Sequence, residues 1–181
     1  MRVLVTGGAG CLGTELSLLL RDHGHEVVAV DNGSRYQLLG ENGCRAFEEN
    51  YTALIKAGVE LLRADYRCIY PDCLDSVDAI VHAAAQVCHS RTHESPQDDV
   101  EINVLGTVRL LEEAKRRELP FLFISSSKLY GENFDSWPWP NGVDETCSIG
   151  DQTHVTFFGA SKAAADLFCQ MYARQGMTVG V

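Results

Sequence analysis

The sequence predicts a doubly wound α/β domain: a parallel sheet with helices on both faces. Two observations carry the prediction. Short strand-like apolar runs alternate with amphipathic stretches at helical period in a βαβα rhythm. A glycine-rich turn, Gly7-Gly8-Ala9-Gly10-Cys11-Leu12-Gly13, joins the first run to the first amphipathic stretch.

Taken in order, residues 3–6 read as the first strand and 12–23 as the first helix. A second strand covers 26–31 and a third 59–65, and the polar stretch 32–57 between them, with Gly33, Gly40 and Gly43, reads as a loop plus a helix. Residues 78–83 form a short buried strand. The stretch 100–117 reads as one long helix with Val100, Val104, Val108, Leu111 and Ala114 as its apolar positions, and 121–125 as a fifth strand. A last helix covers 158–175, with Ala163, Leu167 and Tyr172 on one side, and 177–181 begins another strand. The connection 133–153 contains Trp137-Pro138-Trp139-Pro140, whose prolines argue against regular structure. Because 178–181 stop inside a buried strand, a truncated or partial chain is expected. There is no internal repeat or low-complexity tract.

Length and composition bound the function. A chain of 181 residues, 45% hydrophobic and 22% charged, folds as one globular domain. Its net charge of −10 argues against non-specific binding to nucleic acid or an anionic membrane, which rests on clustered Lys and Arg. No apolar run approaches the roughly 20 residues of a membrane span, and the chain opens directly on a strand rather than on a targeting segment. Seven cysteines, odd in number and scattered, indicate a reducing cytoplasm rather than a disulfide framework. Cys68 and Cys73 come nearest to metal-ligand spacing, but no further ligands follow, so no metal site is expected.

The glycine turn carries chemistry. Glycines at 7, 10 and 13 let the backbone turn tightly, approach a pyrophosphate and pack helix against strand, while the helix N-terminus offers N–H donors. The second strand ends in Asp31, whose carboxylate is placed to accept from the hydroxyls of an adenosine ribose. This conjunction predicts a Rossmann-type dinucleotide site. An acid at 31 repels a 2′-phosphate and favours NAD over NADP, with Arg35 the opposing signal. Asp65, ending the third strand, is placed for the adenine amine or as a plain strand-end turn residue.

With these residues in hand, the chain resembles the extended short-chain dehydrogenase/reductases, the NAD-dependent nucleotide-sugar epimerase/dehydratase family. The matching motifs are Thr6–Gly13, Asp31, Asp65, the run His82-Ala83-Ala84-Ala85-Gln86, and Asn103 in Asn103-Val104-Leu105-Gly106-Thr107. The resemblance implies that NAD is held by Gly7, Gly10, Cys11, Leu12, Gly13, Asp31, Asn32, Ser34 and Arg35. It also implies cofactor contacts from Asp65, Tyr66, Ala83, Ala84, Ala85, Gln86, Asn103 and Lys162. It further implies a nucleotide-diphosphate sugar substrate, a homodimer, and a substrate-binding part beyond residue 181.

The family's catalytic hydroxyl follows the fifth strand and precedes a Tyr-Gly pair. Here the region reads Ser125-Ser126-Ser127-Lys128-Leu129-Tyr130-Gly131, which puts Ser126 in that place, with Ser127 the alternative register and Gln86, Ser126, Ser127 and Lys128 toward the substrate. The acid that follows this hydroxyl in the dehydratase and decarboxylase branches is absent, which disfavours elimination. Among branches, this segment, the Gln86 run and Gly159–Asp166 look most like the CDP-paratose (tyvelose) 2-epimerases. His89, Ser90, Arg91 and His93 either line a sugar pocket or form a solvated loop, and Trp137 and Trp139 either pack beneath a base or anchor their loop.

The family also carries Tyr four residues before Lys on one helix face, the cation lowering the phenol's pKa for proton transfer. Lys162 is present, but position 158 is Phe, which has no proton to exchange. Two readings stand: an introduced Tyr→Phe change, which we favour, or a natural variant whose proton step is lost or rerouted through Cys147, His154 or Tyr130. The expected function is an NAD-dependent epimerase weakened at 158. The alternatives are another enzyme of the family, such as a 4-epimerase, dehydrogenase or dehydratase, and a catalytically silent NAD sensor or scaffold.

Overall fold

The computed structural model describes residues 1–34, 40–69, 71–87, 96–130, 146 and 156–181. Six strands, β1 (Arg2–Thr6), β2 (Glu26–Val30), β3 (Glu60–Leu62), β4 (Ala79–His82), β5 (Phe121–Phe123) and β6 (Val179–Gly180), form one sheet in the order β3-β2-β1-β4-β5-β6. Every pairing is parallel, with Leu4 opposite both Val28 and Ile80. This is the doubly wound order of Rossmann folds, and the strand order reverses between β1 and β4.

Alternate strand residues face opposite layers, as the two-residue period of a strand requires. Val3, Val5, Val27, Ala29 and Val81 pack with Leu16 and Leu20 of α1 (Cys11–Asp22) and Leu54 of α2 (Gly40–Lys56). Leu4, Val28, Val30, Ile80, Phe121 and Phe123 pack on the other face with residues of two later helices. These are α5 (Thr107–Arg116), through Leu110, Leu111 and Ala114, and α6 (Phe157–Arg174), through Ala165 and Cys169. A single turn α3 (Pro71–Leu74) precedes β4, and α4 (Pro96–Asp99) leads through a π-helical stretch, Val100–Gly106, into α5. Among the described residues no helix is long and apolar enough to cross a membrane.

The strands are shorter than expected. β3 stops at Leu62 because Ala64 and Asp65 turn into a 3₁₀ helix, Tyr66–Cys68, capped by the Asp65 carboxylate on the Arg67 N–H. β5 ends at Phe123, and Ser127–Tyr130 form a second 3₁₀ turn.

Two helical faces also differ from expectation. The π stretch resets the face of 100–117, so that Val100 is exposed and the buried stripe is Asn103, Gly106, Thr107, Leu110, Leu111 and Ala114. On α6 the buried positions include Phe158, Ser161, Lys162, Ala165, Asp166 and Cys169, spaced three and four apart, while Leu167 is exposed.

Candidate active site

Where the strand order reverses, an open cleft lies outside the carboxyl ends of the strands. It is lined by Gly7, Gly10, Asp31, Asn32, Ser34, Asp65, Tyr66, Ala83, Ala84, Ala85 and Gln86, all expected from sequence, and by Val30, Ala64, Val87 and Ile102, which were not. Those four are apolar neighbours of the motif residues, and no residue type or spacing distinguishes them from core.

The glycine turn is dictated sterically. Gly7 has φ +67, and a Cβ on it would sit 2.7 Å from Cα and N of Ala84. A Cβ on Gly13 would sit 2.0 Å from the carbonyl oxygen of Gly7, so the first turn of α1 can lie against the turn only without a side chain. Gly8, which the motif spacing leaves without a role, is equally confined: its Cβ would meet that of Ala29 at 2.5 Å. Gly10 caps α1 without a side-chain acceptor and the first turn carries no acid. The N–H groups of Cys11, Leu12 and Gly13 therefore remain for an anion at the positive end of the helix. Cys11 and Leu12 themselves are exposed.

Asp31 sits at the rim. One carboxylate oxygen accepts from Gly33 N–H at 2.8 Å and the other from Ala9 N–H at 3.2 Å. Asn32, next in the chain, donates to Asp65 at 3.3 Å and accepts from Ser34 N–H at 3.0 Å. Asp65 pairs with the guanidinium of Arg67 through two bonds, at 2.9 and 2.7 Å, and that cation holds its carboxyl below the usual range.

Asn103 does not line the cleft. It is buried in the π stretch, accepting the Gln86 N–H at 2.7 Å and donating to the Gln86 carbonyl at 3.1 Å and to Ser161 Oγ at 2.9 Å. It acts on the cleft by holding Gln86 in place. The π geometry frees carbonyls from their intrahelical partners, and side chains take them up: Tyr66 O–H donates to Ile102, and Thr107 O–H to Asn103 at 2.6 Å. Gly106 leaves the room for Tyr66, whose hydroxyl lies 2.2 Å from where a Cβ would stand.

Lys162 reaches the end of β5, and α6 packs against the turn Ser127–Tyr130 that follows Ser126. Ser126 is half-buried and its Oγ accepts the Lys128 N–H at 3.2 Å, while Ser127 and Lys128 are exposed. Phe158 and Lys162 are both buried. The Lys162 ammonium donates to the Ile124 carbonyl at 2.6 Å and stands 3.8 Å from the centre of the Phe123 ring. Burial pulls its pKa down to about 8, with Cys169 and Asp166 opposing.

Asp166 was not expected as a site residue. It is buried and accepts from Ser125 Oγ at 2.6 Å, which fixes the residue before Ser126; its place one turn after Lys162 was the available signal. The other expected residues Arg35, His89, Ser90, Arg91, His93, Trp137, Trp139, Cys147 and His154 lie outside the described residues. Tyr130 is half-buried at the end of the 3₁₀ turn.

This fold and cleft define a dinucleotide-binding domain of the Rossmann class. The sequence profile of the NAD dependent epimerase/dehydratase family matches residues 3–181, and the chain belongs to that family. It is 28% identical to the CDP-paratose 2-epimerase of Salmonella typhi, over 96% of this chain and 53% of that protein. It is 30% identical to the UDP-glucose 4-epimerase of Erwinia amylovora, over 96% and 49%. Among solved structures, it superposes on the UDP-glucose 4-epimerase of Thermus thermophilus in complex with NAD with a TM-score of 0.75, at 29% identity, covering 99% of this chain and 53% of that one. The DesIV double mutant, a dTDP-glucose 4,6-dehydratase from Streptomyces venezuelae with NAD and DAU bound, also gives 0.75, at 26% identity and 99% and 54% coverage. The chain spans about half the length of the curated relatives it matches.

Proposed function

We propose that residues 1–181 are the NAD-binding domain of a nucleotide-sugar epimerase, and that this chain holds NAD while turning over weakly. The observation that carries the reading is the cleft itself. Its floor is a turn whose glycines leave no side chain in the way and whose helix start offers three N–H donors, and Asp31 stands at its rim. Bound NAD would supply the redox chemistry, a reversible hydride exchange with a sugar ring carbon.

The chain's own residues do the rest. Ser126 hydrogen-bonds the reacting sugar oxygen, with Gln86, Ser127 and Lys128 toward the substrate. Lys162 orients the nicotinamide ribose and biases the neighbouring acid–base group. Position 158 is where a tyrosine's phenolate would accept the hydroxyl proton, and Phe158 cannot.

The Ser127-Lys128 pair after Ser126, where an acid would serve elimination, favours epimerisation over dehydration or decarboxylation. The relatives include all three activities. We assign a nucleotide-diphosphate sugar as substrate and a homodimer as the working form. The seven cysteines, odd in number and scattered, support a reducing, cytoplasmic location.

The test is Phe158→Tyr in the full-length protein, assayed with CDP- and UDP-sugars. Turnover is expected to rise about 10²–10⁴-fold, the usual contribution of an acid–base group, with NAD affinity unchanged. Equal rates in the two forms would contradict the role given to position 158. Phe158 also favours a second reading, a silent NAD sensor, which gains if neither form acts on any nucleotide sugar.

A further inference from the structure

His82, the last residue of β4, is fully buried among Tyr66, Phe121 and Phe123, with ring centres 4.8, 5.8 and 5.8 Å away. A polar ring in such a place is costly unless both nitrogens are paired. They are: Nδ1 lies 2.6 Å from Thr6 Oγ and Nε2 lies 3.0 Å from Thr107 Oγ.

The proton positions follow from the neighbours. The Thr107 hydroxyl hydrogen goes to the Asn103 carbonyl, so Thr107 Oγ accepts from His82 Nε2–H. Nδ1 is then bare and accepts from Thr6 O–H, while Thr6 Oγ accepts the Ala84 N–H at 3.3 Å. Burial, reinforced by the charge of Lys162, holds the ring neutral by pulling its pKa down to about 3.

We infer that His82 is a positioning residue of the cofactor cleft, bonded through Thr6 to the glycine turn and Ala84 and through Thr107 to the helix that grips Gln86. The inference rests on the reading of that cleft as the NAD site. The segment Ala83–Gln86 forms one wall and the turn at Gly7 another. Where they meet, the backbones touch, since a Cβ on Gly7 would lie 2.7 Å from Ala84. Ala84 is tied to β1 through Thr6, and Gln86 is tied to the π stretch through Asn103, whose own carbonyl takes the Thr107 hydroxyl. His82 is bonded to both ties, so losing either arm frees the gap between the walls.

The experiment titrates NAD calorimetrically into the unaltered chain and into Thr6→Val, Thr6→Ser, His82→Phe and the Thr6→Val/His82→Phe pair. Thr6→Val and His82→Phe are expected to bind NAD about tenfold more weakly or worse, since each strands a buried polar group. Thr6→Ser keeps the hydroxyl and stays within about threefold. The double variant is expected to lose less than the sum of the two single losses, because the Thr6–His82 bond is broken in both. A purely structural role would lower the melting temperatures without changing the affinity of the folded protein. Unchanged affinities, or additive losses, overturn the inference.

The ¹⁵N shifts of His82 in the unaltered chain give a second test that needs no variant to fold. Nε2 is expected protonated and Nδ1 bare between about pH 5 and 8, and the opposite tautomer would overturn the assignment. If the unaltered chain binds no NAD, the reading of the cleft fails and this inference with it. If that chain binds and the variants bind equally, this inference fails alone.

Discussion

The side chain of Asn103 holds both backbone polar groups of Gln86, accepting the N–H at 2.7 Å and donating to the carbonyl at 3.1 Å. A residue outside the cleft thus sets the position of one that lines it. Asn103→Ala would leave both Gln86 groups buried without these partners. We expect a loss of about 2–4 kcal/mol in urea unfolding, together with weakened NAD binding although no cofactor contact is removed. Normal affinity in the folded Asn103→Ala protein would show that Gln86 is held by something else.

Asp31 joins the rim of the cleft to the loop that follows β2 by accepting the Gly33 N–H. Its carboxylate is expected to make NAD bind more tightly than NADP. Asp31→Ala is expected to cost about 1–3 kcal/mol of NAD affinity and to narrow the gap between the two dinucleotides. Part of that cost comes from the Gly33 N–H losing its acceptor, so Asp31→Asn, which keeps one oxygen, recovers some affinity and not the discrimination. Calorimetry with both dinucleotides measures each quantity; a preference that survives Asp31→Ala refutes the assignment.

Two glycines separate steric need from conformational need. At Gly13 a Cβ would lie 2.0 Å from backbone, whereas Gly24 has φ +80 and open space around it. Gly13→Ala is expected to cost more than about 3 kcal/mol and to abolish NAD binding. Gly24→Ala is expected to cost about 1–2 kcal/mol, the left-handed strain alone, and to leave NAD binding intact. Equal effects in chemical denaturation would contradict the packing of α1 on the turn.

His82 gives the stability a pH dependence of known sign. Its folded pKa is about 3, below the ordinary 6.5, so below about pH 6.5 the unfolded chain takes up a proton that the folded chain refuses. Stability is complete above that pH and falls by about 1.4 kcal/mol per unit as the pH drops toward the folded value. Between about pH 6.5 and 5 the loss is about 2 kcal/mol, and His82→Phe is expected to lack it. Identical slopes in the two proteins would show that the ring is accessible to protons.

The parts of this molecule legible in its sequence are those written in local spacing. Glycines at 7, 10 and 13 after a strand, an acid ending the next strand, and apolar runs alternating with helical periods place the cleft and the sheet. What stayed hidden depends on partners far apart in the chain. The bonds from His82 to Thr6 and Thr107 span 76 and 25 residues, and no periodicity marks them. The π stretch at Val100–Gly106 is supported by Tyr66, Gln86 and Thr107. Its local sequence reads as ordinary helix, and so the expected apolar face pointed Val100 inward. Lys162 and position 158 are candidates through the family's four-residue Tyr/Lys signature, whereas the bond from Ser125 to Asp166, 41 residues apart, is visible only in the packing.

The most direct test is an equilibrium titration of NAD into this chain as it stands, Phe158 included, with NADP as the comparison. A single site per chain, with NAD bound more tightly than NADP, is the expected result. No saturable binding, or equal affinity for the two dinucleotides, would contradict the account of the cleft.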